Sequence, residues 1–133
     1  QAMELVKVAY LDQKYQLVDL QLSVIENMQM FNKDVGYEDC RRYLGNFLFY
    51  TKEDINKKAN TLSGGELVRL AFAMVTAKNL ELLILDEPLN NVDIKTQEVI
   101  VQGLKEYKGA LVVVSHDVEF AEKINIQSVA TVK

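Results

Sequence analysis

Leu82-Leu83-Ile84-Leu85-Asp86-Glu87, followed by Pro88, is the stretch that decides the fold. Four consecutive aliphatic residues predict a strand buried on both faces of a parallel sheet, because a strand with one solvated face alternates apolar and polar positions. Residues 110–114, Ala-Leu-Val-Val-Val, repeat the pattern. Between them, residues 94–107 carry Ile100, Leu104 and Tyr107 at helical spacing, and Gly109 closes the segment. Strand, helix, strand implies a right-handed crossover. Residues 5–11 predict a further strand, and residues 128–132 another, after a helix around 118–123. The fold class is α/β.

Residues 23–58 read differently. Val24, Met28 and Phe31, then Tyr43, Phe47 and Tyr50, recur three and four positions apart, as on the apolar faces of amphipathic helices. This predicts a small helical subdomain with those aromatics in its core. Cys40 lies beside Arg41 and Arg42, which favour a thiolate, but no histidine or second cysteine is near in sequence to complete a nucleophile or redox pair.

The chain's 133 residues amount to one domain at most, with 15 Lys and Arg against 19 Asp and Glu and a net charge of −4. The longest unbroken apolar run, residues 70–75, is far short of the roughly 20 residues a membrane-spanning helix needs. One cysteine and one histidine exclude a disulfide framework and a Cys/His zinc site, and fit a reducing, cytosolic compartment. The acidic balance argues against a chain that grips phosphate backbones unaided. No signal peptide, repeat or linker is visible, and Gln1-Ala2-Met3 are not expected to contribute to the fold.

Five places in the sequence carry candidate chemistry. Leu62-Ser63-Gly64-Gly65-Glu66 precedes a helical run. Ser63 and Glu66 have the spacing of a capping box, which needs no ligand. Two adjacent glycines are not required by that box; they suit a backbone that something approaches closely, and a phosphate fits the N–H groups and positive dipole of a helix start. Both readings stand at this point. Asp86 and Glu87 end a strand, where ligands gather in parallel sheets: Asp86 is the candidate Mg²⁺-side acid, and Glu87 the candidate group that orients or deprotonates water. Asp93 caps the next helix. His116, straight after residues 110–114, belongs to the same sheet edge, and Gln13 follows the first strand as a candidate metal and water ligand.

The order of these elements resembles the nucleotide-binding domain of ATP-binding cassette (ABC) proteins, of P-loop NTPase type. By that resemblance Gln13 matches the Q-loop, Leu62 to Glu66 the signature motif, residues 82–86 the Walker B strand, Glu87 the catalytic glutamate, Asn90 to Asp93 the D-loop and His116 the switch histidine. Tyr43-Leu44-Gly45 with Phe47-Leu48-Phe49, and Asp86-Glu87-Pro88-Leu89-Asn90-Asn91-Val92-Asp93, resemble the ABC-F branch, with Leu89, Asn91 and Val92 departing from its Asp-Glu-Pro-Thr-Asn-His-Leu-Asp.

The resemblance implies ATP and Mg²⁺ as ligands, with Glu87 and His116 catalytic. Asp86 and Gln13 fall on the metal side. Gln13, Leu62, Ser63, Gly64, Gly65, Glu66 and Asp93 fall on the nucleotide. It also implies a second cassette closing head to tail and, for ABC-F, a cytoplasmic protein acting with the ribosome in translation or antibiotic resistance. The alternative is the ATP-binding subunit of a membrane transporter. No Gly-x-x-x-x-Gly-Lys-Ser/Thr loop occurs. Residues 4–133 are therefore expected to be the C-terminal portion of such a domain, with a helical part at about 20–80 and a core at 81–133. That piece alone is expected to be inactive and prone to self-association.

Overall fold

Three parallel strands organise the computed structural model, which describes residues 8–12, 16–78, 80–87 and 92–114, with Asp12 through its backbone alone. β1 (Val8–Asp12), β2 (Leu82–Asp86) and β3 (Ala110–Val114) lie in the order β1-β2-β3. Tyr10 stands opposite Ile84, and Asp86 lies opposite both Asp12 and Val114. α5 (Ile94–Leu104) joins β2 to β3, as the aliphatic runs and the helical spacing between them require. It ends three residues short of the expected Tyr107. That side chain instead turns its hydroxyl to the carbonyls of Leu80 and Ala110. The elements expected at 118–123 and 128–132 lie outside the described residues.

Burial on both strand faces does not hold for the described residues. Ala9, Leu11, Leu83, Leu85 and Val113 are buried, whereas Val8, Tyr10 and Val112 are exposed, and Leu82 and Ile84 are half-buried. Consecutive aliphatic residues give both faces apolar character, but a face is buried only where an element covers it, and the described helices leave this one open.

The helical part contains α1 (Val24–Phe31), α2 (Tyr37–Asn46), α3 (Lys52–Asn56), a short turn (Ala59–Thr61) and α4 (Gly64–Ala77). The six-residue apolar run sits inside α4, and Leu70, Ala71, Phe72, Ala73, Met74 and Val75 are all buried. A helix apolar all round must be surrounded, and α1, α2 and α5 pack against it. Met28 and Phe47 join the core as expected, and Phe31 and Tyr43 are partly buried. Tyr50 is 63% exposed, because it lies past the end of α2, where the helical spacing no longer applies. Cys40 is buried, and burial together with neighbouring Asp39 raises its pKa, the opposite of activation by Arg41 and Arg42.

Gly103 is where α5 meets the segment after α2. A Cβ there would come within 2.6 Å of Phe47 Cε1, and Phe47 is itself fully buried. Gly103→Ala is therefore expected to cost about 1–3 kcal/mol through overpacking, read as a lowered thermal midpoint. An unchanged midpoint would show that this packing relaxes freely.

Candidate functional site

The Leu62-Ser63-Gly64-Gly65-Glu66 segment forms the start of α4. Leu62 is buried and anchors the turn. Ser63 is the N-cap: its Oγ accepts from the Glu66 N–H at 3.2 Å, while its own N–H donates to Glu66 Oε1 at 2.9 Å. The capping reading is thus correct. A helix start leaves four N–H groups without intrahelical acceptors, and this box serves those of Ser63 and Glu66. The N–H groups of Gly64 and Gly65 receive nothing from it. The Ser63 hydroxyl, which accepts within the box, keeps its proton to donate.

Two other helices provide internal controls. α1 begins with a Ser23–Glu26 box and α3 with a Thr51–Asp54 box. Their next two residues are Val24-Ile25 and Lys52-Glu53, so capping in this chain does not call for glycine. The two glycines of α4 also differ from each other. A Cβ on Gly65 would lie 3.1 Å from Thr96 Oγ1 and 3.5 Å from Asp93 Oδ1, so packing against the start of α5 already restricts that position. Around Gly64 a Cβ would meet nothing within 4 Å. Within the described chain, space does not demand a glycine at 64.

Asp93, the N-cap of α5, accepts from the Thr96 N–H at 3.1 Å. The Thr96 side chain and backbone together hold its carboxyl below the usual carboxylate range. The structure thereby brings two candidate elements, the α4 start and Asp93, side by side through Gly65 and Thr96.

Asp86 and Glu87 stand at the C-terminal end of β2. Asp86 is half-buried, and the Tyr10 hydroxyl donates to its Oδ2 at 2.5 Å. Glu87 leaves the strand with φ 47°. Its N–H donates to the Val114 carbonyl at 2.7 Å, which ties the turn to the end of β3. Left-handed backbone is uncommon away from glycine, costs about 1–3 kcal/mol and concentrates at functional sites.

No three His, Cys, Asp or Glu side chains cluster among the described residues. Mg²⁺ does not need such a cage, since it takes one or two carboxylates together with phosphate oxygens and water. A single strand-end aspartate with one oxygen already oriented fits that chemistry. Gln13 and His116 lie outside the described residues. A cleft of about 350 Å³ between α2 and α5, bordered by Arg42, Asn46 and Tyr107, includes none of the candidate residues. No helix among the described residues is long and apolar enough to cross a membrane.

A parallel sheet with two carboxylates at the end of β2, and two helices, α4 and α5, whose starts lie side by side, define an α/β class. The sequence profile of the ABC transporter family matches residues 2–90, and the chain belongs to that family as an ABC-F-like nucleotide-binding domain. It is 40% identical over 107 residues to ABC transporter F family member 2 of Arabidopsis thaliana, covering 80% of this chain and 16% of the relative. It is 37% identical over 120 residues to the ATP-binding protein Uup of Haemophilus influenzae, covering 87% and 18%.

Among solved structures, the dimeric bacterial ABC transporter cassette MJ0796 superposes with a TM-score of 0.76 at 26% identity, over 96% of this chain and 59% of that one. The same cassette in a post-hydrolysis state bound to ADP and Pi gives 0.71 at 27% identity, with the same coverage. The chain therefore spans less than a fifth of those two curated relatives and about three-fifths of that cassette.

The sequence reading missed Tyr10 and Arg69. Arg69 donates to the Phe47 carbonyl at 2.9 Å and lies over the Phe49 ring, which fixes α4 to the segment after α2. Its spacing three residues after Glu66 was visible, but its partners are distant in sequence.

Proposed function

We propose that this segment is the C-terminal part of an ATP-hydrolysing cassette, helical at about 20–80 and core at 81–133. The whole protein is cytoplasmic, closes two cassettes head to tail on ATP and acts with ribosomes. The observation that carries the nucleotide reading is the start of α4. Its capping box, like that of α3, leaves the next two N–H groups unserved, but only here do both belong to glycines, and Gly64 faces open space.

In this reading Ser63, Gly64 and Gly65 donate to the terminal phosphate of ATP held by the other cassette. Leu62 and Glu66 hold their loop in shape, and Asp93 lies beside them. Asp86 would hold Mg²⁺, which when bound supplies neutralisation of phosphate charge. Glu87 orients the attacking water and takes its proton. Gln13 and His116 enter through the resemblance, as metal and water ligand and as contact to the reacting phosphate. The ABC-F likeness supports the ribosome as partner.

ATP turnover compares the whole protein with residues 1–133 alone. The whole protein is expected to hydrolyse ATP in a Mg²⁺-dependent way. The segment is expected to do no better than buffer, because it contains no Gly-x-x-x-x-Gly-Lys-Ser/Thr loop to hold the β- and γ-phosphates. Metal-dependent turnover by the segment, abolished by Glu87→Gln, would contradict this assignment.

A further inference from the structure

Tyr10 is 50% exposed on the open face of the sheet, beside exposed Val8, and so is not a core tyrosine. Its place is set by register. Tyr10 pairs with Ile84, so Asp86 is its diagonal neighbour on the same face. Such diagonal pairs sit roughly 7–8 Å apart, a gap that long side chains and aromatics bridge. The Tyr10 ring spans it, and the hydroxyl meets Asp86 Oδ2 at 2.5 Å, the length of a charge-assisted bond.

Resting on the reading of Asp86 as the metal-side acid, we propose that Tyr10 is a positioning residue, whose hydroxyl holds the Asp86 carboxylate in the orientation that receives the divalent cation. The residue type suits the task. A lysine or arginine at this position would also reach the carboxylate, but its positive charge would repel the cation and cancel the attraction. A phenol, neutral at pH 7, restrains the carboxylate and leaves its charge intact. Hydrogen-bond partners of this kind set the orientation of metal-binding carboxylates, and losing one typically weakens metal binding about 10- to 100-fold.

The test uses the whole protein with Mn²⁺ as the probe. Binding is followed by electron paramagnetic resonance in the presence of a non-hydrolysable ATP analogue. Tyr10→Phe keeps the ring and removes the oxygen. It is expected to weaken Mn²⁺ binding about tenfold, while the metal-free affinity for the analogue and the melting temperature stay as in the parent. Asp86→Asn, which leaves the cation only phosphate oxygens and water, is expected to weaken Mn²⁺ binding more than Tyr10→Phe does. Tyr10→Leu, which also lacks the hydroxyl, should weaken Mn²⁺ at least as much. Mn²⁺ affinity in Tyr10→Phe equal to or tighter than the parent's, with Asp86→Asn defective, overturns the role of Tyr10 alone. Undiminished Mn²⁺ binding in Asp86→Asn overturns the reading of Asp86 and this inference with it.

Discussion

Replacing Glu87 by glutamine in the whole protein is expected to slow ATP hydrolysis by about 10²–10⁴, the usual contribution of a general base, while ATP binding survives. Glutamine keeps the length of the side chain and an acceptor oxygen but cannot take a proton. The backbone should not change, because the left-handed turn at φ 47° and the bond from its N–H to the Val114 carbonyl are both main-chain features. The variant should therefore accumulate with ATP bound and its cassettes closed. Under the ribosomal reading, it should pellet with ribosomes in the presence of ATP. A variant that demonstrably holds ATP yet fails to pellet removes the ribosome from the account and favours a transporter subunit.

The second large effect is expected at Gly64. An aspartate at the first position of a helix interacts favourably with the dipole, worth about 0.3–1 kcal/mol, and nothing lies within 4 Å of a Cβ at that position. Gly64→Asp should fold at least as stably as the parent. In the proposed function, however, its carboxylate would occupy the place where the other cassette's nucleotide presents its terminal phosphate. Two like charges about 4 Å apart near a protein surface are worth roughly 4 kcal/mol, about three powers of ten in the closing equilibrium. A substitution that stabilises the fold and abolishes closure cannot be explained by capping. Gly65→Asp does not separate the two effects, because the new side chain would crowd Thr96 and repel Asp93 within its own chain. The readouts are thermal midpoint, ATP affinity and ATP-driven closure.

Much of this was legible in the sequence, for identifiable physical reasons. Leu82 to Leu85 and the run at 110–114 were legible as strands because they are short, rich in Leu, Ile and Val, and separated by a segment of helical spacing, unlike the apolar run at 70–75, which continues a helical pattern. The Ser63–Glu66 box was legible because capping is a local interaction between residues three apart. The open face of the sheet was not legible: composition says that a face is apolar, whereas burial depends on what else packs there. Tyr50 looked like a core residue because a helical period was carried past the point where α2 stops. The restraint on Asp86 was hidden for a different reason, since Tyr10 lies 76 positions away and only strand register makes the two diagonal neighbours. Similarly, the difference between Gly64 and Gly65 appears only once α5 is placed beside the start of α4.

The central claim is that the start of α4 receives a nucleotide held by a second cassette, and one comparison tests it most directly. ATP-driven closure is measured in the whole protein carrying Glu87→Gln, with and without Gly64→Asp, using a distance probe between the two cassettes. The account predicts that the single variant closes on ATP, whereas the double variant stays open while binding ATP and melting no lower. Closure of the double variant to the same extent and at the same ATP concentration would contradict it.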